Sequence, residues 1–175
     1  MLARLETERL ICRAPVIDDF GPYREIMMSD RAVYMGGPFD RRGAWLDFMQ
    51  CIANWHVRGH GLFTIAAKAT GKTLGFALIC MEHGNRETEL GWFFTAAGEG
   101  QGYAGEAAKA VRDWGLETLK LPALVSYIDP PNHRSIRLAE RIGGWHDARA
   151  SAELSEAQGE DVLVYRHWPR PEARA

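Results

Sequence analysis

The stretch Gly98-Glu99-Gly100-Gln101-Gly102-Tyr103-Ala104-Gly105-Glu106-Ala107-Ala108-Lys109-Ala110 sets four glycines within eight residues, then runs into an alanine-rich pattern of helical type. Glycine loses more conformational freedom on ordering than any other residue. Such a cluster therefore points to positive φ angles, or to another group that must approach the backbone closely. A helix N-terminus supplies a reason, because its first N–H groups lack intrahelical partners and carry the positive end of the macrodipole. Bare backbone ahead of that terminus describes a pocket for an anion, a phosphate above all. A simple turn between two elements accounts for the same glycines, so the flanking sequence has to decide.

Composition narrows the choice. A chain of 175 residues, 46% hydrophobic and 25% charged, is long enough for one well-filled core and short for two, so a single domain over 1–175 is expected. The net charge of −2 and the lack of a basic block argue against nucleic acid as a direct ligand. No apolar run reaches bilayer length, and Glu6 and Glu8 stand where a signal peptide would be apolar, so a cytoplasmic protein with no membrane contact is expected. Cys12, Cys51 and Cys80 are widely spaced and read as buried thiols rather than a disulfide framework. The six histidines show no ligand spacing, so no metal site is expected. No Gly-x-Ser-x-Gly elbow is present, and the glycines of 98–105 are not followed by the Lys-Ser/Thr of a P-loop.

Periodicity gives an outline of the elements. Glu8 to Ala14 reads as a first strand ended by Pro15, and Asp18 and Asp19 stand ahead of a helical spacing at Phe20, Tyr23, Ile26 and Met27. Asp40 caps a second helix, Arg41 to about Arg58, whose apolar face is read as Trp45, Phe48, Met49, Ile52 and Trp55. Leu62–Lys68 and Leu74–Met81 flank a turn as a hairpin, and Thr88–Thr95 adds a third strand. The glycine-preceded helix spans Tyr103 to about Thr118, followed by a strand Ala123–Ile128, a short helix Ser135–Ile142 and a closing strand Val162–Trp168. That order describes an α/β fold with a mixed, mostly antiparallel sheet and helices on both faces.

Three stretches carry a family resemblance. Glu89-Leu-Gly-Trp-Phe-Phe94 followed by Gly100-Gln-Gly-Tyr-Ala-Gly-Glu-Ala107 resembles the acetyl-CoA-binding core of the GNAT N-acetyltransferases, as does the later run Asn132-His-Arg-Ser135-Ile-Arg-Leu138-Ala-Glu140-Arg-Ile-Gly143. The opening Leu5-Glu-Thr-Glu-Arg-Leu-Ile-Cys-Arg13 resembles the first strand of the branch that contains the Rim-type ribosomal-protein N-terminal acetyltransferases. The resemblance implies a GNAT fold, its central sheet splayed between Thr88–Thr95 and Ala123–Ile128, with acetyl-CoA lying in the split. Phe93, Phe94 and Thr95 would border the pantetheine arm by their backbones, while Gly100, Gln101, Gly102, Tyr103, Ala104 and Gly105 would cradle the pyrophosphate. Asn132 would bridge a helix start to the cofactor. A homodimer is a family-level expectation.

One residue departs from the family pattern: Glu99 stands where relatives carry Arg, Gln or Trp, and a carboxylate beside a pyrophosphate is repelled. The expectation is that Glu99 points to solvent, with Lys109 or Arg134 compensating, and that Glu106 packs or pairs on its helix. The chemistry requires a neutral amine, a stabilised oxyanion and a proton for the leaving thiolate. Glu89 is the candidate base, near Gly91 and a bulge it would permit; a sheet-edge carboxylate paired with Arg86 is the other reading. Many relatives place a Tyr where this chain has Ala139, so Ser135 is the candidate acid, unless it only caps its helix. The acceptor surface is expected from Tyr34, Phe39 and Trp45 as an apolar lip, with Glu82, Glu87, Glu89 and Glu153 as a cation-attracting mouth. A protein N-terminus and a small-molecule amine both fit, and a catalytically inactive acyl-CoA-binding module stays as the alternative.

Overall fold

A computed structural model describes residues 2–167. Its centre is one eight-stranded sheet in the order β1-β2-β3-β4-β5-β6-β8-β7. The strands are β1 (Arg4–Glu6), β2 (Leu10–Arg13), β3 (Leu62–Ala67), β4 (Thr73–Cys80), β5 (Glu89–Phe94), β6 (Val125–Ile128), β7 (Trp145–His146) and β8 (Leu163–Arg166). The helices are α1 (Phe20–Met27), α2 (Arg41–Arg58), α3 (Tyr103–Asp113), α4 (His133–Arg141) and α5 (Ala148–Gln158). Trp168, assigned to the closing strand from sequence, lies outside the described residues.

Alternation along the central strands buries both faces. Leu62, Phe76 and Phe93 meet Tyr23 of α1 and Phe48 of α2 on one side. Phe63, Ile65, Ile79 and Leu90 meet Ala107, Ala108 and Val111 of α3 on the other. Every neighbouring pair is antiparallel except β5 and β6, which run parallel and share a single register pair, Glu89 with Val125. Past that point they diverge, and the sheet is split. Ser126 ties the two lips together, donating to the Leu90 carbonyl at 2.6 Å while it also contacts His167 Nε2 at 2.8 Å.

Asp19 does not cap α1 by its side chain. It is buried, and it accepts from Arg13 at 2.6 and 3.0 Å, from the Val16 N–H at 2.8 Å and from the Thr64 hydroxyl at 2.9 Å. Burial alone would raise its pKa, but these donors outweigh that and hold the carboxyl below its usual range. Asp19→Asn is expected to cost about 2 kcal/mol near neutral pH, because it leaves the Arg13 guanidinium without its partner. A depressed carboxylate stabilises above its unfolded pKa and loses that contribution as pH falls through the folded value. The difference from wild type, measured by urea unfolding, therefore shrinks as the medium is acidified.

Three boundaries differ from the sequence expectations for physical reasons. The inward face of α2 is Ala44, Phe48, Cys51 and Trp55, because small apolar residues take the positions closest to the sheet; Trp45 and Met49 lie on the flank, 37% and 41% exposed. The helix expected through Thr118 is α-helical only to Asp113 and continues as a π-type turn over 114–118. There Gly115 lets the chain approach Ile79, whose Cδ1 would stand 2.6 Å from an added Cβ. Helix α5 occupies a stretch to which the sequence reading assigns no element; Asp147 caps it, accepting from the Ala150 N–H at 3.0 Å, and Gly159 ends it with φ +75°.

Candidate active site

The glycines after β5 serve two purposes. A Cβ on Gly98 would stand 2.3 Å from the Leu74 carbonyl oxygen, so that glycine lets the loop settle on β4. Gly100 and Gly102 hold φ of +74° and +80°, and Gly102 is the N-cap of α3 with no side chain to satisfy its first amides. The result is an uncovered helix N-terminus opening onto a cavity of about 460 Å³. Glu99, Gly100, Gly102, Ala104 and Gly105 line it, and Arg31, Arg134, Arg137 and Arg141 stand around it.

The cradle is braced from behind. Arg9 donates to the Gln101 carbonyl at 2.9 Å, lies 4.6 Å from the centre of the Tyr103 ring and pairs with Glu106 at 2.7 Å. Glu106 also accepts from the Arg9 N–H and the Thr7 hydroxyl, so it anchors α3 to the turn between β1 and β2. Thr95 is likewise structural, donating to the Leu74 carbonyl at 3.0 Å and accepting from the Gly98 N–H at 3.2 Å. Of the expected cofactor residues, the structure brings Phe93, Phe94, Gly100, Gly102, Ala104, Gly105 and Asn132 to the cavity wall. Thr95, Gln101 and Tyr103 are not part of it.

Glu99 does not point freely into solvent. Its Oε1 accepts from Arg31 at 2.6 Å and lies 3.0 Å from Arg134. Arg134 thus compensates as expected, whereas Lys109 is engaged with Asp113 at 2.8 Å and Arg31 takes its place.

A second cavity of about 560 Å³ shares Tyr34, Met35, Trp92, Phe93, Asn132 and Ser135 with the first. The two meet at the split in the sheet. Thr95 N–H pairs back to β4 and the Leu90 carbonyl is taken by Ser126 on β6, so two-residue alternation turns the N–H groups of Trp92 and Phe94 toward the gap.

Charge differs sharply between the two cavities. Asp47, Glu82, Glu89, Asp129, Glu160 and Asp161 line the second, and among the described residues no Lys, Arg or His does. Glu82, Asp129, Glu160 and Asp161 are exposed, whereas Asp47 and Glu89 are half-buried. Glu89 accepts from the Asn85 amide at 3.2 Å, not from Arg86. Burial, reinforced by the nearby Glu82 charge, pushes its carboxyl up to about 7. Although the Glu82 residue is exposed at the mouth, partial desolvation of its carboxyl on the cavity side and the Asp47 charge raise it; burial raises that of Asp47 against the opposing hydrogen bond from Tyr23.

Other expectations are corrected here. No bulge occurs at Gly91: the β4–β5 register is unbroken from Gly75/Phe94 to Cys80/Glu89. Tyr34 and Phe39 line the second cavity, but Trp45 packs edge-on against Phe20, ring centres 4.9 Å apart, outside it. Glu87 is paired with Arg166 at 2.8 Å and Glu153 with Arg149 at 2.8 Å, so neither belongs to the mouth. The cap of α4 is Asn132, whose Oδ1 accepts from the Ser135 N–H at 3.2 Å; Ser135 is the third helical residue and faces both cavities. Ala139 is fully buried beside Ile128 and Tyr165 and offers no acid group. Sequence reading missed Asp47, although an acid between Ala44, Phe48 and Cys51 on an inward helix edge is itself a signal.

Comparison with known proteins gives this arrangement its class. Residues 9–144 match the model described as an acetyltransferase (GNAT) domain, and the chain belongs to that family. It is 32% identical over 146 residues to the uncharacterised protein YkkB of Bacillus subtilis, covering 80% of this chain and 84% of that one. The crystal structure of an acetyltransferase from Agrobacterium tumefaciens superposes with a TM-score of 0.87 at 43% identity, covering 97% and 96% of the two chains. The ribosomal L7/L12 acetyltransferase RimL shares the fold at a TM-score of 0.72, with 14% identity and 95% and 94% coverage. The protein is an N-acetyltransferase that uses acetyl-CoA. Among the described residues, no helix is long and apolar enough to cross a membrane.

Proposed function

We propose that the protein transfers an acetyl group directly from acetyl-CoA to a primary amine of a small acceptor that carries at least one further positive charge. The observation behind the acceptor class is the second cavity, with six carboxylates and no basic side chain among its described lining. Carboxylates that share a confined space without counter-ions raise one another's pKa and are relieved by a cation. An acceptor with two ammonium groups can place one on Asp47 and Glu82 while presenting the other to Glu89.

The cradle fits a pyrophosphate on the chain's own features: positive-φ glycines, open amides at the start of α3, and arginines around the same wall. Acetyl-CoA supplies the acetyl group as an activated thioester. Glu89, ionised above about pH 7, takes the proton from the acceptor ammonium. The Trp92 and Phe94 N–H groups are the donors available for the oxyanion. Ser135, which lines both cavities, gives a proton to the departing sulfur in this reading, and Asn132 caps the first turn of its helix. Direct transfer is favoured because no thiol is primed to carry the acetyl group: Cys51 lines the acceptor cavity, but burial pushes its thiol up to about 12.

Initial rates of CoA thiol release across matched amines test the acceptor class. Diamines and triamines are expected to exceed monoamines of equal length by at least about tenfold in kcat/KM, from one added charge-assisted contact. Equal rates for charged and uncharged congeners would remove the cationic-acceptor reading. Ser135→Ala is expected to slow turnover much more than it weakens CoA binding; equal effects on both would make Ser135 structural.

A further inference from the structure

The bridge at the cofactor mouth joins three separate parts of the chain. Arg31 lies in the short turn after α1, Glu99 in the loop after β5, and Arg134 at the second position of α4. A single carboxylate oxygen of Glu99 serves both guanidiniums, at 2.6 and 3.0 Å. That is how two arginines hold a phosphate oxygen. Glu99 also directly precedes Gly100, the first positive-φ residue of the cradle, and lines the same cavity. The Arg134 side chain is 70% exposed and that of Arg31 35%. Glu99 itself is 27% exposed, so the Arg134 pair is the more open to water of the two and the more readily exchanged.

A bound pyrophosphate would meet Glu99 in one of two ways. If the bridge persists, the phosphate faces a fixed negative charge, and two donors are withheld from it. If the bridge opens, both guanidiniums become phosphate ligands and Glu99 swings into water. The exposure of Arg134 favours opening. Arg137 and Arg141 line the same wall and form no ion pair among the described residues, so positive charge there exceeds what Glu99 neutralises.

We propose that Glu99 is an internal counter-ion that holds Arg31 and Arg134 when the cofactor is absent and yields them to its pyrophosphate when it binds. This rests on the cradle reading under Proposed function. The exchange loosens the hold on CoA, both entering as acetyl-CoA and leaving as product. It also explains how a carboxylate can stand in a pyrophosphate site: it occupies the arginines in place of the ligand.

Titration calorimetry on wild type and Glu99→Gln, with CoA, 3′-dephospho-CoA and pantetheine as ligands, tests the exchange without reference to turnover. Glu99→Gln is expected to bind CoA about tenfold more tightly than wild type at low salt, with a smaller gain at high salt as charges are screened. The gain is expected to persist with 3′-dephospho-CoA and to be absent with pantetheine. Arg134→Gln is expected to cost more affinity in the Glu99→Gln background than in wild type, because only there is the guanidinium free beforehand. Unchanged or weaker CoA binding by Glu99→Gln, a gain that vanishes with 3′-dephospho-CoA, or a gain seen with pantetheine overturns the proposal. Failure of wild type itself to bind CoA would overturn the cradle reading as well, which separates the two.

Discussion

Glu89→Gln is expected to lower kcat by about 10²–10³-fold with little change in CoA affinity, since a positioned base contributes about 10²–10⁴ to such a reaction. Three features converge on this residue. It closes the one parallel pairing among the described residues, opposite Val125, where the split begins. It lines the acceptor cavity, and its carboxyl is pushed up to about 7 by burial and by Glu82. Wild-type activity should therefore rise with pH and level off above about 7, and that limb should vanish in the variant's residual rate. A variant that retained both the rate and the limb would remove Glu89 from the chemistry.

The same variant makes an opposite prediction for stability. The folded-state pKa of Glu89 lies above its ordinary value of 4.5, so between about pH 4.5 and 7 the native state holds a proton that the unfolded state has lost. Stability is then lost as pH rises through that window. Above pH 7, Glu89→Gln should be more stable than wild type, on the order of 2 kcal/mol once solvent in the cavity is allowed for, and the gap should close below pH 4.5. A variant slower but more stable than its parent is the mark of a site whose charge is kept for function.

The second large effect concerns acceptor choice. Replacing Asp47 and Glu82 together by Asn and Gln removes two carboxylates while leaving Glu89 and the cofactor cradle in place. Each charge-assisted hydrogen bond contributes about 1.5–3 kcal/mol, so KM for a diamine should rise about 10–100-fold or more. KM for a neutral-tailed monoamine should change little, because that substrate has no second ammonium to lose. Parallel losses for both would point to collapse of the cavity. Tyr23 makes Asp47 the more sensitive member, since its buried hydroxyl is bonded to that carboxylate.

Much of the cofactor half of the site is legible in the sequence, because its information is local. Gly100 and Gly102 announce positive φ, the alanines after them announce a helix, and the order of the three motifs places both beside a splayed strand pair. The acceptor half is less legible because its members come from distant elements whose facing depends on one residue of helical rotation. Trp45 looked inward on size, yet Ala44 and Cys51 occupy the contact line and leave Trp45 over Phe20. Asp47 enters the cavity for the same reason. Glu87 and Glu153 looked available by charge alone, but Arg166 and Arg149 had to be placed in space before they could be seen as occupied. Helix α5 escaped notice because its buried face consists of Ser151 and Leu154. Ser151 contributes hydrogen bonds, including one from the Val164 N–H at 2.9 Å, rather than apolar periodicity.

Intact-mass spectrometry of protein and amine after a single turnover tests the central claim most directly. The protein is mixed with acetyl-CoA alone, then with a diamine added. Direct transfer to a cationic amine predicts an unmodified protein in both samples and one acetyl group on the diamine in the second. An acetyl group on the protein before the amine arrives would contradict direct transfer, and an unmodified diamine at every pH would contradict the acceptor assignment.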